Sequence, residues 1–362
     1  MTRIICFHLF NDYSGSPKVL KIVLEGLLKK GYQINLITST GGALDELLYY
    51  KNLSKHSYPY RFSNNPIVTM LRYYMVQLYT FILTFRWVFY KDVTFYINTL
   101  LPVGPALAGR IMGKRVVYHY HENAFVKGTF YKVLATIMQK LAHKIICVSE
   151  YQASFLQQKK CVITVPNALP QNFVNRLTPN FQAAFKRKHI LMLGSLKLYK
   201  SPLEFIELTK RLPQFIFVLV INDTKENINI FIKEYKINIS KNLTIYPQQN
   251  DVVPFYNQTS LVLNLSNKKQ FVETFGLTAL EAMSAGLPVI VPTEGGIAEM
   301  VVDGENGYKI DVQNLNQIAE CIKTILSDET LYMELAQNAL AYSKRFSEAK
   351  MVNSIEMILN RK

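Results

Sequence analysis

The chain has 362 residues, 49 % of them hydrophobic, which suits two packed domains better than one. Its four cysteines are scattered with no Cys-x-x-Cys pair, excluding a zinc ribbon or disulfide framework and predicting free thiols in a reducing compartment. The formal charge of +15 lies almost wholly in residues 1–170, with 20 Lys and Arg against 7 Asp and Glu; residues 171–362 hold 21 against 19.

The opening run MTRIICFHLFND is too short, and too broken by His8, Asn11 and Asp12, to be a signal peptide. Residues 4–9 read as a buried strand, followed by the turn Asn11-Asp12-Tyr13-Ser14-Gly15. Ser16 is the expected N-cap and Pro17 the first helical residue of a helix through Val19, Leu20, Val23, Leu24, Leu27 and Leu28, stopped at Gly31. A strand at 34–38 completes a βαβ unit. The apolar stretch 73–90 is interrupted by Gln77 and Arg86 and is too mixed to span a bilayer. A helix buried in a soluble domain is expected there, with at most one face on a membrane. Strands follow at 93–97, 115–119 and 144–148, and residues 166–181, rich in proline and asparagine, read as a linker. The second half repeats the plan, with strands at 189–193, 215–221, 243–245, 261–265 and 288–291, helices at 202–212 and 276–285, and helix from 328 to the end. The pattern predicts an α/β chain with two doubly wound, Rossmann-like sheets facing a shared cleft: domains 1–170 and 171–340, then a terminal helix over 341–362.

The segment from Glu273 to Gly296, ETFGLTALEAMSAGLPVIVPTEGG, carries most of the chemistry. Thr274, Phe275, Gly276 and Leu277 stand where a helix begins after a strand end, so backbone N–H groups and the helix dipole favour an anion there. Glu281, one to two turns on, reaches a ribose beside such phosphates; the plainer reading makes Glu273 a cap and Glu281 a solvated helix residue. A second loop, Gly194-Ser195-Leu196-Lys197-Leu198-Tyr199-Lys200, also follows a strand, and a lysine there can neutralise a departing pyrophosphate. Alone, Lys197 and Lys200 are ordinary surface lysines. His119 and His121 share a strand face, but no third ligand is evident and no Asp-x-Asp triplet occurs, so no metal is expected and His121 reads as a hydrogen-bonding residue of the cleft. Gly15 and Ser16 form either a second anion site or a plain βα turn. Such a basic first half can attract nucleic acid, anionic lipid or an acidic substrate, the plainer reading being a solvated basic surface. Nucleic acid is not an expected partner, since no zinc-finger, RRM or arginine-rich pattern is present.

Together these residues resemble the retaining GT-B glycosyltransferases, specifically glycosyltransferase family four, the glycosyl transferases group 1. Glu273 to Glu281 matches the family's E-x7-E signature, AMSAGLPVIVPTEGGIAEMVVDGENGY at 282–308 continues it, and VPNAL at 165–169 resembles the interdomain entry. The resemblance implies that Glu281 binds the donor ribose and Glu273 the hydroxyls of the transferred sugar. It implies diphosphate contacts from the N–H groups near Phe275, Gly276 and Leu277 and from Lys200, with His121 beside the sugar and Gly15-Ser16 near the phosphates. The terminal helix would return to the first domain. Two departures stand out: Ser195 replaces an arginine, for which the point charge of Lys197 is an imperfect substitute, and Gly15-Ser16 replaces a Gly-Gly pair. The implied activity is a metal-independent, cofactor-free hexosyl transfer from a nucleotide-diphosphate sugar to an acceptor hydroxyl with retained configuration. The expected setting is bacterial envelope polysaccharide or glycolipid assembly, with a carbohydrate or lipid-linked acceptor. The expected location is the cytoplasm, with peripheral contact at the inner face of an anionic membrane. The competing readings are a nucleotide-sugar 2-epimerase and a non-catalytic nucleotide-sugar-binding subunit.

Overall fold

The computed structural model describes residues 3–63 and 65–360. Among these, the chain divides into two compact units: residues up to Ala168 together with the segment from Glu348, and Leu169–Ser347. The first unit holds a parallel sheet of β1 (Arg3–Phe7), β2 (Ile34–Ser39), β3 (Leu53–Tyr58), β4 (Val93–Asn98), β5 (Arg115–Tyr120), β6 (Lys144–Cys147) and β7 (Val162–Thr164), in the order β3-β2-β1-β4-β5-β6-β7. The second holds β8 (His189–Gly194), β9 (Ile216–Ile221), β10 (Leu243–Tyr246), β11 (Leu261–Leu263), β12 (Val289–Val291) and β13 (Gly307–Lys309), in the order β10-β9-β8-β11-β12-β13.

The inner strands are continuous apolar runs because helices cover both sheet faces. Ile4, Ile5 and Cys6 of β1 are fully buried, with Ile4 opposite Ile34 on one side and Thr94 on the other. The three strands absent from the sequence expectation, β3, β7 and β13, are all edge strands. Edge strands are short or half exposed, so they lack the apolar run that marks an inner strand. In each sheet the strand order reverses once, between β1 and β4 and between β8 and β11. Within each sheet, the loops leaving these two strands at their carboxyl ends therefore line a switch-point crevice of that unit, the usual ligand position in such sheets.

Three helices of the first unit matter below: α1 (Gly15–Lys29), α2 (Pro66–Thr84) and α3 (Val103–Ile111). α1 starts earlier than expected. Its N-cap is Ser14, not Ser16, because the Asp12 carboxylate accepts from both the Ser14 N–H at 3.0 Å and its hydroxyl at 2.6 Å and fixes the entry one residue pair upstream. α2 likewise departs from the buried helix expected, since only a narrow stripe of it, including Tyr73, Val76, Thr80 and Thr84, is buried. The closing helix Glu348–Asn360 packs on α1, burying Met351, Val352, Ile355, Ile358 and Leu359. A Cβ on Gly26 would meet the Val352 methyls at 2.7 Å, so a glycine is what lets the two helices approach. Tyr32 Oη donates to Glu356 Oε1 at 2.9 Å and Arg115 Nη2 to the Ile358 carbonyl at 2.9 Å. All four cysteines are free thiols.

Candidate functional site

In the second unit, the loop after β8 and the loop after β11 meet at the switch point. The first runs through Ser195 and Lys197 into a single 3-10 turn, Leu198–Lys200. Ser201 then takes a positive φ of +58° and Pro202 opens the next helix, so the chain turns sharply right after Lys200. That turn aims the lysine across the crevice. Lys200 Nζ forms an ion pair with Glu273 Oε1, and Ser266 Oγ donates to the same oxygen at 3.0 Å. The ammonium also lies 4.2 Å from the centroid of the Phe271 ring, which stacks on Tyr199 at 4.8 Å. Lys197 Nζ is 5.7 Å from the Tyr199 ring. Both members of the Lys200–Glu273 pair are mostly buried, with 22 % and 17 % of their side chains exposed, so water screens the pair less than at an open surface.

The helix after this loop is Leu277–Ser284, with Gly276 as its N-cap. It therefore begins two residues later than Phe275; Phe275 turns into the core, 5.8 Å from Phe346 between ring centroids. Gly276 has φ +94°, and a Cβ there would meet Ile297 at 2.4 Å, so only glycine fits. The helix ends in a Schellman turn: Gly286 N–H donates to Met283 O at 2.9 Å and Leu287 N–H to Ala282 O at 3.0 Å, with Gly286 at φ +70°. Thr274 and Leu277 flank the N-terminus, whose first N–H groups have no partner within a helix. The Gly295-Gly296 turn closes on the same segment, Gly296 N–H donating to the Glu273 carbonyl at 2.8 Å. At Gly194 a Cβ would meet only ordinary contacts, at 3.9 Å and beyond, so packing alone does not demand a glycine there.

Glu281 has a different partner: the hydroxyl of Tyr256 donates to Glu281 Oε2. Tyr256 is buried, and burial together with the Glu281 charge pushes its phenol well above the usual range. The structure thus brings Lys200 and Glu273 into contact and ties Glu281 to Tyr256. Two positioning groups, Tyr256 and Ser266, escape the sequence reading. The signal for Tyr256 was a tyrosine in an apolar run, whose hydroxyl must find a partner once buried.

In the first unit, Gly15 and Ser16 form the first turn of α1 beside the end of β1. His121 follows β5 directly. Its Nε2 is 3.0 Å from Asn98 Oδ1, and Asn98 Nδ2 is 3.0 Å from His8 Nδ1. Asn98 therefore bridges two imidazoles, donating to one and accepting from the other, which sets Nε2–H on His121 and a bare Nδ1 on His8. The His119 and His121 rings lie 4.1 Å apart, and Tyr96 Oη is 2.7 Å from His119 Nδ1. Burial pushes His8 down to about 4 and His119 down to about 3. Burial, then the neighbouring His119 and His8, hold His121 well below the usual histidine range. The cluster is neutral at physiological pH. Asn98 was legible only as a polar residue ending an apolar strand at its carboxyl end. Among the described residues no group of three or more His, Cys, Asp or Glu side chains is placed to hold a metal ion.

Residues 176–342 match the family model described as glycosyl transferases group 1. Over 361 residues the chain is 23 % identical to an uncharacterized glycosyltransferase of Haemophilus influenzae, covering 95 % of this chain and 96 % of that one. Among solved structures, Anabaena HepE in complex with UDP and glucose superposes with a TM-score of 0.75 at 19 % identity, covering both chains fully. Sucrose-phosphate synthase from Thermosynechococcus elongatus gives 0.77 at 16 % identity, covering 99 % of this chain and 98 % of that one. Likeness at these identities concerns the fold.

Proposed function

We propose that this chain, whose residues 176–342 match the glycosyl transferases group 1 and whose fold is that of GT-B structures, moves a hexosyl group from a nucleotide-diphosphate sugar to an acceptor hydroxyl with retention at the anomeric carbon. The observation that carries this reading is the Lys200–Glu273–Ser266 cluster beside the start of helix Leu277–Ser284 at a switch point. A cation, a carboxylate and a helix N-terminus meet where a diphosphate and a sugar would lie side by side.

In the reaction, the bond between the anomeric carbon and the diphosphate oxygen breaks as positive charge builds on the sugar. Lys200, Lys197 and the N–H groups from Phe275 to Leu277 receive the negative charge on the leaving diphosphate. The acceptor oxygen bonds to the anomeric carbon on the face the diphosphate leaves, and its proton passes to the departing diphosphate oxygen. Glu273 orients the sugar hydroxyls and Glu281 the ribose; likeness to the family assigns His121 to the transferred sugar, and its neutral ring adds no charge to oppose the developing cation. Likeness to the family assigns Gly15 and Ser16, in the first turn of α1, to the phosphates. Positive charge comes from the chain itself, so turnover persists in EDTA. The basic first unit suits an acceptor carrying phosphate, as in lipid-linked intermediates of envelope polysaccharide or glycolipid assembly.

The Anabaena neighbour was solved with UDP-glucose, which makes UDP-sugars the first donors to test. A donor panel read by thermal shift identifies the base and sugar, because a ligand bound only to the native state raises the melting temperature. With that donor, Lys200→Ala is expected to lower kcat roughly 100-fold. Full turnover in Lys200→Ala would remove the assignment.

A further inference from the structure

α2 is apolar on two opposite faces. On the inner face Gln77 Oε1 accepts from the Gly104 N–H at 2.9 Å, and a Cβ on Gly104 would lie 2.1 Å from the Gln77 carbonyl oxygen, so α3 is pressed against it. On the outer face Ile67, Leu71, Tyr74, Met75, Leu78 and Ile82 recur at helical spacing, and each is 58–78 % exposed. Phe89, just past the helix, is 91 % exposed. A continuous apolar ridge of this length marks an interaction surface, not ordinary scatter.

The charge around the ridge is one-sided. Between Glu46 and Glu150 the chain carries thirteen Lys and Arg and only two acids, Asp92 and Glu122. Glu122 is turned to the backbone, where it accepts from the Leu100 N–H at 3.3 Å. Arg61, Arg72, Arg86 and Lys91 flank the ridge in sequence, and Arg3 stacks on Tyr90 at 4.9 Å.

We propose that the outer face of α2 docks the first unit on the surface of an anionic lipid bilayer, with the ridge in the acyl boundary and the flanking cations on lipid phosphates. An apolar ridge framed by cations suits that medium on both counts. Two copies of this face would oppose like charges. The helix lies in the interface and does not cross it: among the described residues no helix is long and apolar enough to span a membrane. The proposal goes beyond the glycosyl-transfer reading and uses none of its residues.

The test is co-sedimentation of the full chain with vesicles of pure phosphatidylcholine and of phosphatidylcholine mixed with phosphatidylglycerol, at ~0.1 M and ~0.5 M salt. Binding is expected to the mixed vesicles and to fall several-fold at the higher salt. Leu71→Asp and Leu78→Asp should each lower partitioning roughly 10-fold, and Arg72→Gln about 5-fold, with melting temperatures unchanged. Aspartate variants that sediment like the parent chain overturn the proposal, as does equal, salt-insensitive binding to neutral vesicles. A dimer in analytical ultracentrifugation that Leu71→Asp dissociates would also overturn it, giving the face to a second copy. Vesicle binding in a chain that takes up no nucleotide sugar would uphold docking and sink the donor reading instead.

Discussion

Gly295→Ala acts where two backbone segments of the second unit come closest. A Cβ at 295 would lie 2.5 Å from the Glu273 carbonyl oxygen and 2.9 Å from Val272 Cγ1. That oxygen already accepts from Gly296 N–H at 2.8 Å, so the added methyl forces the segments apart and lengthens the bond. The backbone at 295 has φ +110°, a conformation that costs a non-glycine residue about 1–3 kcal/mol. Overpacking against a backbone atom adds about 1–3 kcal/mol. The expected loss is therefore about 2–6 kcal/mol for the second unit. Gly304→Ala is the internal control: φ is +77° and nothing lies within 4 Å of its added methyl, so only about 1–2 kcal/mol of backbone strain applies. Urea unfolding by far-ultraviolet circular dichroism measures both, while fluorescence of Trp87, the sole tryptophan, reports the first unit separately. Displacing Glu273 by about 1 Å should also lower kcat roughly 100-fold in Gly295→Ala and leave Gly304→Ala near the parent rate. Equal destabilisation by the two alanines would show that contact with Glu273 contributes nothing, and the idea of a turn locking that carboxylate would fall.

Tyr256→Phe removes the hydroxyl that holds Glu281. Loss of a hydrogen bond to a charged group is worth about 1.5–3 kcal/mol, so donor KM should rise roughly 10-fold or more with kcat little changed; an unchanged KM would detach Tyr256 from donor binding. The neutral histidines set an acid limit on the first unit. His8 and His119 have folded values of about 4 and about 3 against an unfolded 6.5, so the unfolded chain takes up protons that the folded one refuses. Their contribution is whole above pH about 6.5 and is lost as pH falls toward about 4, at up to about 1.4 kcal/mol per pH unit for each histidine. Trp87 fluorescence follows this unit, and His8→Asn should flatten its share of the slope; a parent chain equally stable across that window would contradict the neutral cluster.

The inner strands were legible because burial on both faces writes an unbroken apolar run, as in Ile4-Ile5-Cys6 or Ile190-Leu191-Met192. β3, with Lys55 and His56 in its middle, carries no such run and escaped notice. In the candidate donor site, the residues within one local segment were readable: Glu273, Gly276 and Glu281 follow from a strand, a tight turn and a helix start. Their holders were not, since Ser266 and Tyr256 are set by tertiary approach and no spacing rule connects Tyr256 to Glu281. α2 misled for a definite reason. Apolar residues on both faces give the same periodic pattern whether the second face meets protein or water.

The first unit is finished by the last helix, Glu348–Asn360, which seats Val352 against Gly26 and accepts from Arg115 through the Ile358 carbonyl. On the ribosome, every residue of Leu169–Ser347 is made before that helix exists. The usual order, in which the amino-terminal part of a nascent chain folds first, is thus reversed in its final step. The early-made sheet keeps an open flank on α1 until Glu348–Asn360 has been made, so the packing of the first unit depends on a segment translated after the whole of the second.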